Sequence, residues 1–329
     1  MSHDIGPSAP NRLTSEDPSG LRRRLTALLQ ASPGPTACFP GPDGADAMLS
    51  GSAMLQLGLE RARALSAAGM RRGDVLASPP HGTARIVDLV AALLGEFTYW
   101  PVADASPWLE GETIADPAAP LVWRPVAAGD ALGTSDDVAA VPYRLPRTIL
   151  DALAPAGPHV RLLVQATPGA TPFAVNAQTL ARLGSTLRRG LGLPRQSLRL
   201  CAAPAESAAA LLLDLLPALA ARQVLVLAPD GGWSATGLVD ALARYRPHSV
   251  TLTVAQARTL LATPITTDAV RALSRTRLLL ADVAPVPQPV RRTFTLCTAR
   301  VDVGYVLAEC GDAILVRDGR PREGRPSAR

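Results

Sequence analysis

The sequence contains no lysine: all 33 basic residues among its 329 are arginine. This removes Schiff-base chemistry, a lysine general base and a lysine phosphate clamp from what the chain can do. Aromatic residues are almost as scarce, at 4%. The core must therefore be built from Leu, Val and Ala, and few rings are left to stack on bases. The arginines are scattered, with pairs at Arg71–Arg72, Arg188–Arg189 and Arg291–Arg292 and a triplet at Arg22–Arg24. Solvated helix ends explain that spacing better than a binding stripe, so nucleic acid is not expected as a partner.

Cysteine and histidine are also sparse, with 4 of each. Cys38, Cys201, Cys297 and Cys310 lie far apart without metal-ligand spacing, and buried thiols in a reducing compartment are expected. His81 and His248 each follow proline and read as loop residues. A nucleophile elbow of the Gly-x-Ser-x-Gly type is missing. So is a basic-then-apolar leader. The most apolar stretch, Ala208–Ala221, contains Asp214 and Pro217, which argues against a membrane span. A cytoplasmic location is expected.

What the chain does have is length and apolar content. Hydrophobic residues make up 47% of the sequence, with a mean hydropathy of +0.16 and a formal charge of +5. That supports one large domain or two subdomains. Residues 1–20 are rich in Ser, Pro, Asp and Gly and are expected to be disordered. Helices are expected at Leu21–Gln30 and at Ala53–Ala68, the second capped by Ser52 and stopped by Gly69. Strand, helix Thr83–Leu94 and strand then follow in a βαβ-type unit. Residues Ala103–Pro158 read as connections around one or two short strands. Strands are expected at Ser197–Ala202, Gln223–Leu227, Ser249–Val254 and Arg277–Ala281, with helices at Glu206–Ala221, Ser234–Tyr245, Ala255–Ala262 and Thr267–Ser274. Their continuous Val/Leu runs indicate parallel strands buried on both faces.

The chemistry centres on Arg161–Val175, where an apolar run breaks into a turn of Thr, Pro, Gly and Ala. A helical pattern at Leu180, Leu183, Leu187 and Leu191 follows. Strand, small-residue loop and helix is the usual geometry for holding phosphate. The loop, Gln165-Ala166-Thr167-Pro168-Gly169-Ala170-Thr171-Pro172-Phe173-Ala174, resembles the phosphate loop of adenylate-forming enzymes. These include acyl-CoA synthetases, luciferases and the adenylation domains of peptide synthetases. Their loop reads Thr-Ser-Gly-Thr-Thr-Gly-x-Pro-Lys-Gly. Here Pro172 is kept, Phe173 occupies the lysine position and Ala174 that of the following glycine. Gly69-Met70-Arg71-Arg72-Gly73-Asp74-Val75-Leu76-Ala77 and Gly95-Glu96-Phe97-Thr98-Tyr99-Trp100-Pro101-Val102 resemble two scaffold turns of the same family. Val303-Gly304-Tyr305-Val306-Leu307-Ala308-Glu309 lies where that family has Tyr-Gly-x-Thr-Glu. Tyr305 and Glu309 match, while Val306 and Ala308 replace the glycine and threonine.

The resemblance implies an α/β fold of two stacked βαβ-type subdomains with largely parallel sheets, residues 21–160 and 161–329. The second would carry the degenerate phosphate loop, and the family's small C-terminal domain would be absent. It makes Thr167, Gly169, Thr171 and Tyr305 the remnant of a nucleotide site and Glu309 the remnant magnesium position. The Asp that the family places on ribose and its catalytic lysine would both fall in positions beyond residue 329. The resulting expectation is a catalytically inactive accessory or binding protein in acyl or secondary metabolism, with no cofactor. A protein partner is expected: a carrier protein, a companion ligase or a second copy of the chain. It would meet the phosphate-loop face through Phe173 and Val306. Two alternatives stay open. One is an active AMP-forming carboxylate ligase, using ATP and magnesium with a separate C-terminal domain or partner. The other is an unrelated α/β small-molecule-binding module.

Overall fold

The computed structural model describes residues 18–32, 34–41, 45–78, 82–102, 121–125, 140–144, 160–165, 171–176, 197–204, 207–229, 232–282, 286–298, 300–307 and 312–317. The expected helix at 180–191 lies outside them. Helix α1 (Pro18–Gln30) starts inside the expected tail, so residues 18–20 are helical. An unforeseen antiparallel hairpin, β1 (Pro35–Phe39) and β2 (Ala47–Ser50), follows. Next come α2 (Gly51–Ala67), β3 (Val75–Ser78), α3 (Ala84–Gly95) and β4 (Thr98–Pro101), in the expected alternation.

The cap of α2 differs from the expected one. Ser50, extended at the end of β2, accepts a hydrogen bond from the Ala53 N–H at 3.1 Å, while the Ser52 hydroxyl pairs with that of Ser50 at 3.0 Å. Helices α2 and α3 pack closely because Gly58 has no side chain. A Cβ there would lie 2.5 Å from Val90 Cγ1. Asp88 of α3 clamps the pair, accepting from Arg61 Nε at 2.8 Å and from Ser78 Oγ of β3.

Two short strands, β5 (Leu121–Pro125) and β6 (Ala140–Arg144), precede β7 (Val160–Val164) and β8 (Phe173–Asn176). The later half runs β9 (Leu198–Cys201), a π-helical segment Ala209–Leu215 continuing into α4 (Leu216–Ala221), and β10 (Val224–Val226). Helix α5 (Ala235–Tyr245), β11 (Ser249–Thr253), α6 (Val254–Ala262), α7 (Thr267–Leu273) and β12 (Arg277–Asp282) come next. Helix α8 (Gln288–Cys297), β13 (Arg300–Leu307) and β14 (Asp312–Arg317) complete the described chain. Ser234 caps α5, accepting from Gly237 N; α6 starts one residue earlier than expected, at Val254, behind a capping box of Thr253 and Gln256.

Among the described residues the strands form two sheets, ordered β14-β13-β12-β11-β9-β10-β1-β2 and β6-β5-β3-β4-β7-β8. Each is parallel inside and ends on antiparallel strands. The architecture is the expected one of two largely parallel sheets. The division of the chain between them is not the expected cut at residues 160 and 161. β1 and β2 join the sheet of the second half, and β7 and β8 join the sheet of the first. The edge positions decide this: β10 offers a parallel edge to β1, and β4 offers one to β7.

The Gly69–Asp74 turn has a clear structural task. Asp74 is buried and its carboxylate accepts from Arg71 N at 2.8 Å, Leu121 N at 3.0 Å and Trp123 Nε1 at 3.0 Å. One side chain therefore closes the turn and ties it to β5, and each charge-assisted bond is stronger than a neutral one.

Candidate functional site

The phosphate-loop segment is a hairpin, not a strand followed directly by a helix. Val164 at the end of β7 pairs with Phe173 at the start of β8, and Leu163 pairs with Ala174. Residues 166–170, with Thr167 and Gly169, lie outside the described set. Thr171 is exposed just before β8. The hairpin base is tied to residues 207–208, just ahead of the π-helical segment. Gln165 bridges Ser207, and the Ala208 N–H donates to the Gln165 carbonyl at 2.8 Å.

Phe173 is the main correction to the expected site. It is a strand residue, 9% exposed, and belongs to the hydrophobic core with Val164, Val175 and Leu162. The expectation of a partner-facing loop residue fails because the strand starts there and its pleat turns the ring inward. Tyr305 is half-buried in β13, opposite Asp282 of β12 and Ile314 of β14. Val306 pairs with Ala313 along the same strand. Glu309 lies outside the described residues. The structure thus sets Phe173 and Tyr305 on different sheets and does not gather the expected residues into one described cluster.

Beside Tyr305, Gly304 makes room for the π-helical segment. A Cβ on it would lie 2.8 Å from Leu213 Cδ1. This segment carries Asp214, which the sequence reading used only against a membrane span. Asp214 is fully buried and Arg199 is 1% exposed. Arg199 Nη2 reaches Asp214 Oδ1 at 2.6 Å and the Leu213 carbonyl at 2.7 Å. Thr251 Oγ1 donates to the same Oδ1 at 2.7 Å. Arg199 Nε and Nη1 and Asp214 Oδ2 are buried without a hydrogen-bond partner. Opposite charges inside the apolar runs Leu198–Leu200 and Leu211–Leu216 were the signal available in the sequence. Burial, reinforced by Asp214, pushes the Cys201 thiol well above its usual range. It is an inert thiol.

A second cation missed by sequence reasoning is Arg85 of α3. It is buried, donates to the Ala228 carbonyl at 3.0 Å and lies 5.9 Å over the Phe39 ring. It therefore links the two sheets. At the start of β7, burial lowers the pKa of Arg161, opposed by the charge of Glu96 at 3.9 Å. Burial pushes the Cys38 thiol up to about 11, with Asp46 adding to the shift. Cys297 departs from the expected burial and is exposed on the last turn of α8. Among the described residues no three His, Cys, Asp or Glu side chains gather as a metal site. Nor is any helix there long and apolar enough to cross a membrane.

Solved structures share this architecture. An acyl-CoA synthetase from Brucella canis matches with a TM-score of 0.68 and 17% identity, over 93% of this chain and 60% of that one. The chain has the adenylate-forming fold. ATP-bound MatB from Rhodopseudomonas palustris gives a TM-score of 0.65 and 16% identity, over 92% and 63% of the two chains. The N-terminal subdomain of NpsA from Klebsiella oxytoca, in complex with 3-hydroxyanthranilyl-AMSN, gives 0.65 and 15%, over 90% and 75%. The chain spans 60% of the synthetase's length and 63% of MatB's. At such identities the fold is what is shared. No protein-family model matches the sequence, and no curated protein matches it.

Among the described residues, position 173 offers a nucleotide no cation. Phosphates require cations and free donors, whereas position 173 of this adenylate-forming fold is filled by a ring inside the core. Thr171 and Tyr305 offer hydroxyls.

Proposed function

We propose that this chain is a catalytically inactive version of the adenylate-forming fold, acting as an accessory or binding protein in acyl or secondary metabolism. The observation that carries the reading is Phe173. The position matching the loop lysine holds a side chain packed among Val164, Val175 and Leu162, in a sequence without lysine. Adenylation builds charge on phosphate oxygens, and losing one well-placed donor alone costs about 100- to 1000-fold in rate. Glu309 could hold magnesium only where phosphate is also held, so neither ATP, AMP nor magnesium belongs to this reading. The protein acts instead through a carrier protein, a companion ligase or a second copy of itself, in the cytoplasm.

Pyrophosphate exchange with magnesium, ATP and a broad carboxylic-acid panel tests this. No acid-dependent exchange is expected, and clear exchange by the isolated chain overturns the reading. Thermal unfolding with millimolar ATP or AMP gives a second readout. A ligand at about 100 times its Kd stabilises by roughly 2.7 kcal/mol, and no such rise is expected. The runner-up is an active AMP-forming ligase completed by a separate domain or partner. Its support is Tyr305, which keeps the adenine-side position of the resemblance at the end of β13. Exchange that appears only on adding a companion chain would establish it. An unrelated α/β module is set aside by the shared fold.

A further inference from the structure

Arginines that are dispersed in the sequence become neighbours at the amino ends of the strands of the eight-stranded sheet. The strand order β13-β12-β11-β9-β10 brings Arg300, then Arg275 and Arg277, then Arg246 and His248, and finally Arg222 into one row. The register supports this: Arg277 lies opposite Arg300, and the Arg277 N–H bonds the His248 carbonyl at 2.9 Å. Thr276 Oγ1 donates to the Pro247 carbonyl at 2.8 Å, which sets the turn at Arg275 beside the turn at Arg246. Arg222, Arg246, His248 and Arg275 are exposed. No acidic residue occurs in the turns 222–223, 246–248, 275–277 or 298–300. Arg300 is held by the buried Asp302 at 2.6 Å, and the single carboxylate of α7, Asp268, by Arg271 at 3.1 Å.

Helix α8 runs back from the carboxyl end of β12 and delivers Leu296, 88% exposed, to the same end, just ahead of Arg300. A bare leucine thus stands at one end of the basic row. The row crosses four strand spacings of ~4.8 Å, or about 19 Å, the length of a helix of about 13 residues. Arginine forks suit carboxylates. Helix carboxyl termini at Arg222 and Arg246 draw cations locally, yet they supply no mobile counter-charge.

We propose that this end of the sheet is a docking surface for an acidic amphipathic helix of a partner protein. The carboxylates of that helix pair with Arg222, Arg246 and Arg275, and an apolar residue covers Leu296. The surface lies at the opposite strand ends from the phosphate-loop hairpin, so it stands whether or not that face keeps nucleotide chemistry.

The test uses the full chain and a synthetic 16-residue Leu/Glu amphipathic helical peptide, with its Lys-for-Glu counterpart as control. Binding is read by fluorescence anisotropy at 50 and 200 mM salt. Arg222 and Arg246 have positive φ, 54° and 45°, which asparagine tolerates, so the triple variant Arg222→Asn, Arg246→Asn, Arg275→Gln should keep the fold. Unchanged far-ultraviolet circular dichroism checks that point. The expected results are salt-sensitive binding of the acidic peptide only, at least tenfold weaker in the triple variant, and about threefold weaker in Leu296→Ser. Equal binding by wild type and triple variant overturns the proposal, as does no binding at millimolar peptide. Tighter binding to phosphatidylserine vesicles or to a 20-nucleotide RNA than to the peptide also overturns it, assigning the row to a lipid surface or a nucleic acid.

Discussion

The Gly69–Asp74 turn and the hairpin from Val164 to Phe173 both occupy places where the sequence resembles one family, and they have fared differently. In the turn the buried carboxylate of Asp74 meets three donors and holds β3 to β5. In the hairpin the strand pairing is intact, but the lysine position has become part of the core. The turn's polar residue has a buried structural task, whereas the hairpin residue at the position matching the loop lysine is a ring that packs. Fold and site are therefore separate questions: a buried polar joint such as Asp74 supports the first and says nothing of the second.

The sharpest way to break this contrast is Asp74→Ala. It leaves Trp123 Nε1 and two backbone N–H groups without an acceptor, and unsatisfied groups cost about 1–3 kcal/mol each, so a loss of about 4 kcal/mol is expected. Urea unfolding measures it, and a loss under about 1 kcal/mol would make the turn ornamental. Phe173→Lys comes next. Exchanging a core ring for a cation should cost about 3 kcal/mol, with no recovery of pyrophosphate exchange. A variant as stable as the wild type would return Phe173 to the surface.

The Arg199–Asp214 pair gives a third measure, because its remaining atoms are poorly satisfied. Replacing both together, Arg199→Met with Asp214→Leu, is expected to raise stability by about 1–2 kcal/mol, while Asp214→Ala alone lowers it. A destabilised double variant would show that the pair has partners beyond those described. The smallest effect concerns the start of α2. Ser50→Ala should cost about 1 kcal/mol and Ser52→Ala a few tenths, measured by the same unfolding. The reverse order would restore Ser52 as the cap.

The alternation of strand and helix was legible because Val/Leu runs such as Leu278–Leu280 and caps such as Ser234 are local signals. The β1–β2 hairpin was not, since Pro35–Phe39 lacks a strong apolar run and gains its strand from β10. The ring of Phe173 could not be placed from sequence, because a one-residue difference in where a strand begins changes the face a side chain points to. Asp214 was visible, but its partner Arg199 lies in another element, and only the packing of the π-helical segment on β9 joins them. The same holds for the arginine row, whose members meet only through strand order.

That strand order also sets how the chain can be made. β1 pairs with β10, so Ala37 must wait for Leu225 before its strand has a parallel neighbour. Until then the amino-terminal hairpin is a loose end, although the first sheet can already take up β7 and β8. Long-range pairing of this kind closes loops late and folds slowly. A ribosome-bound chain cut off before residue 226 has no site for its own beginning. Separately expressed halves joined at residue 160 would each lack strands held by the other, so reassembly would require exchange of strands between them.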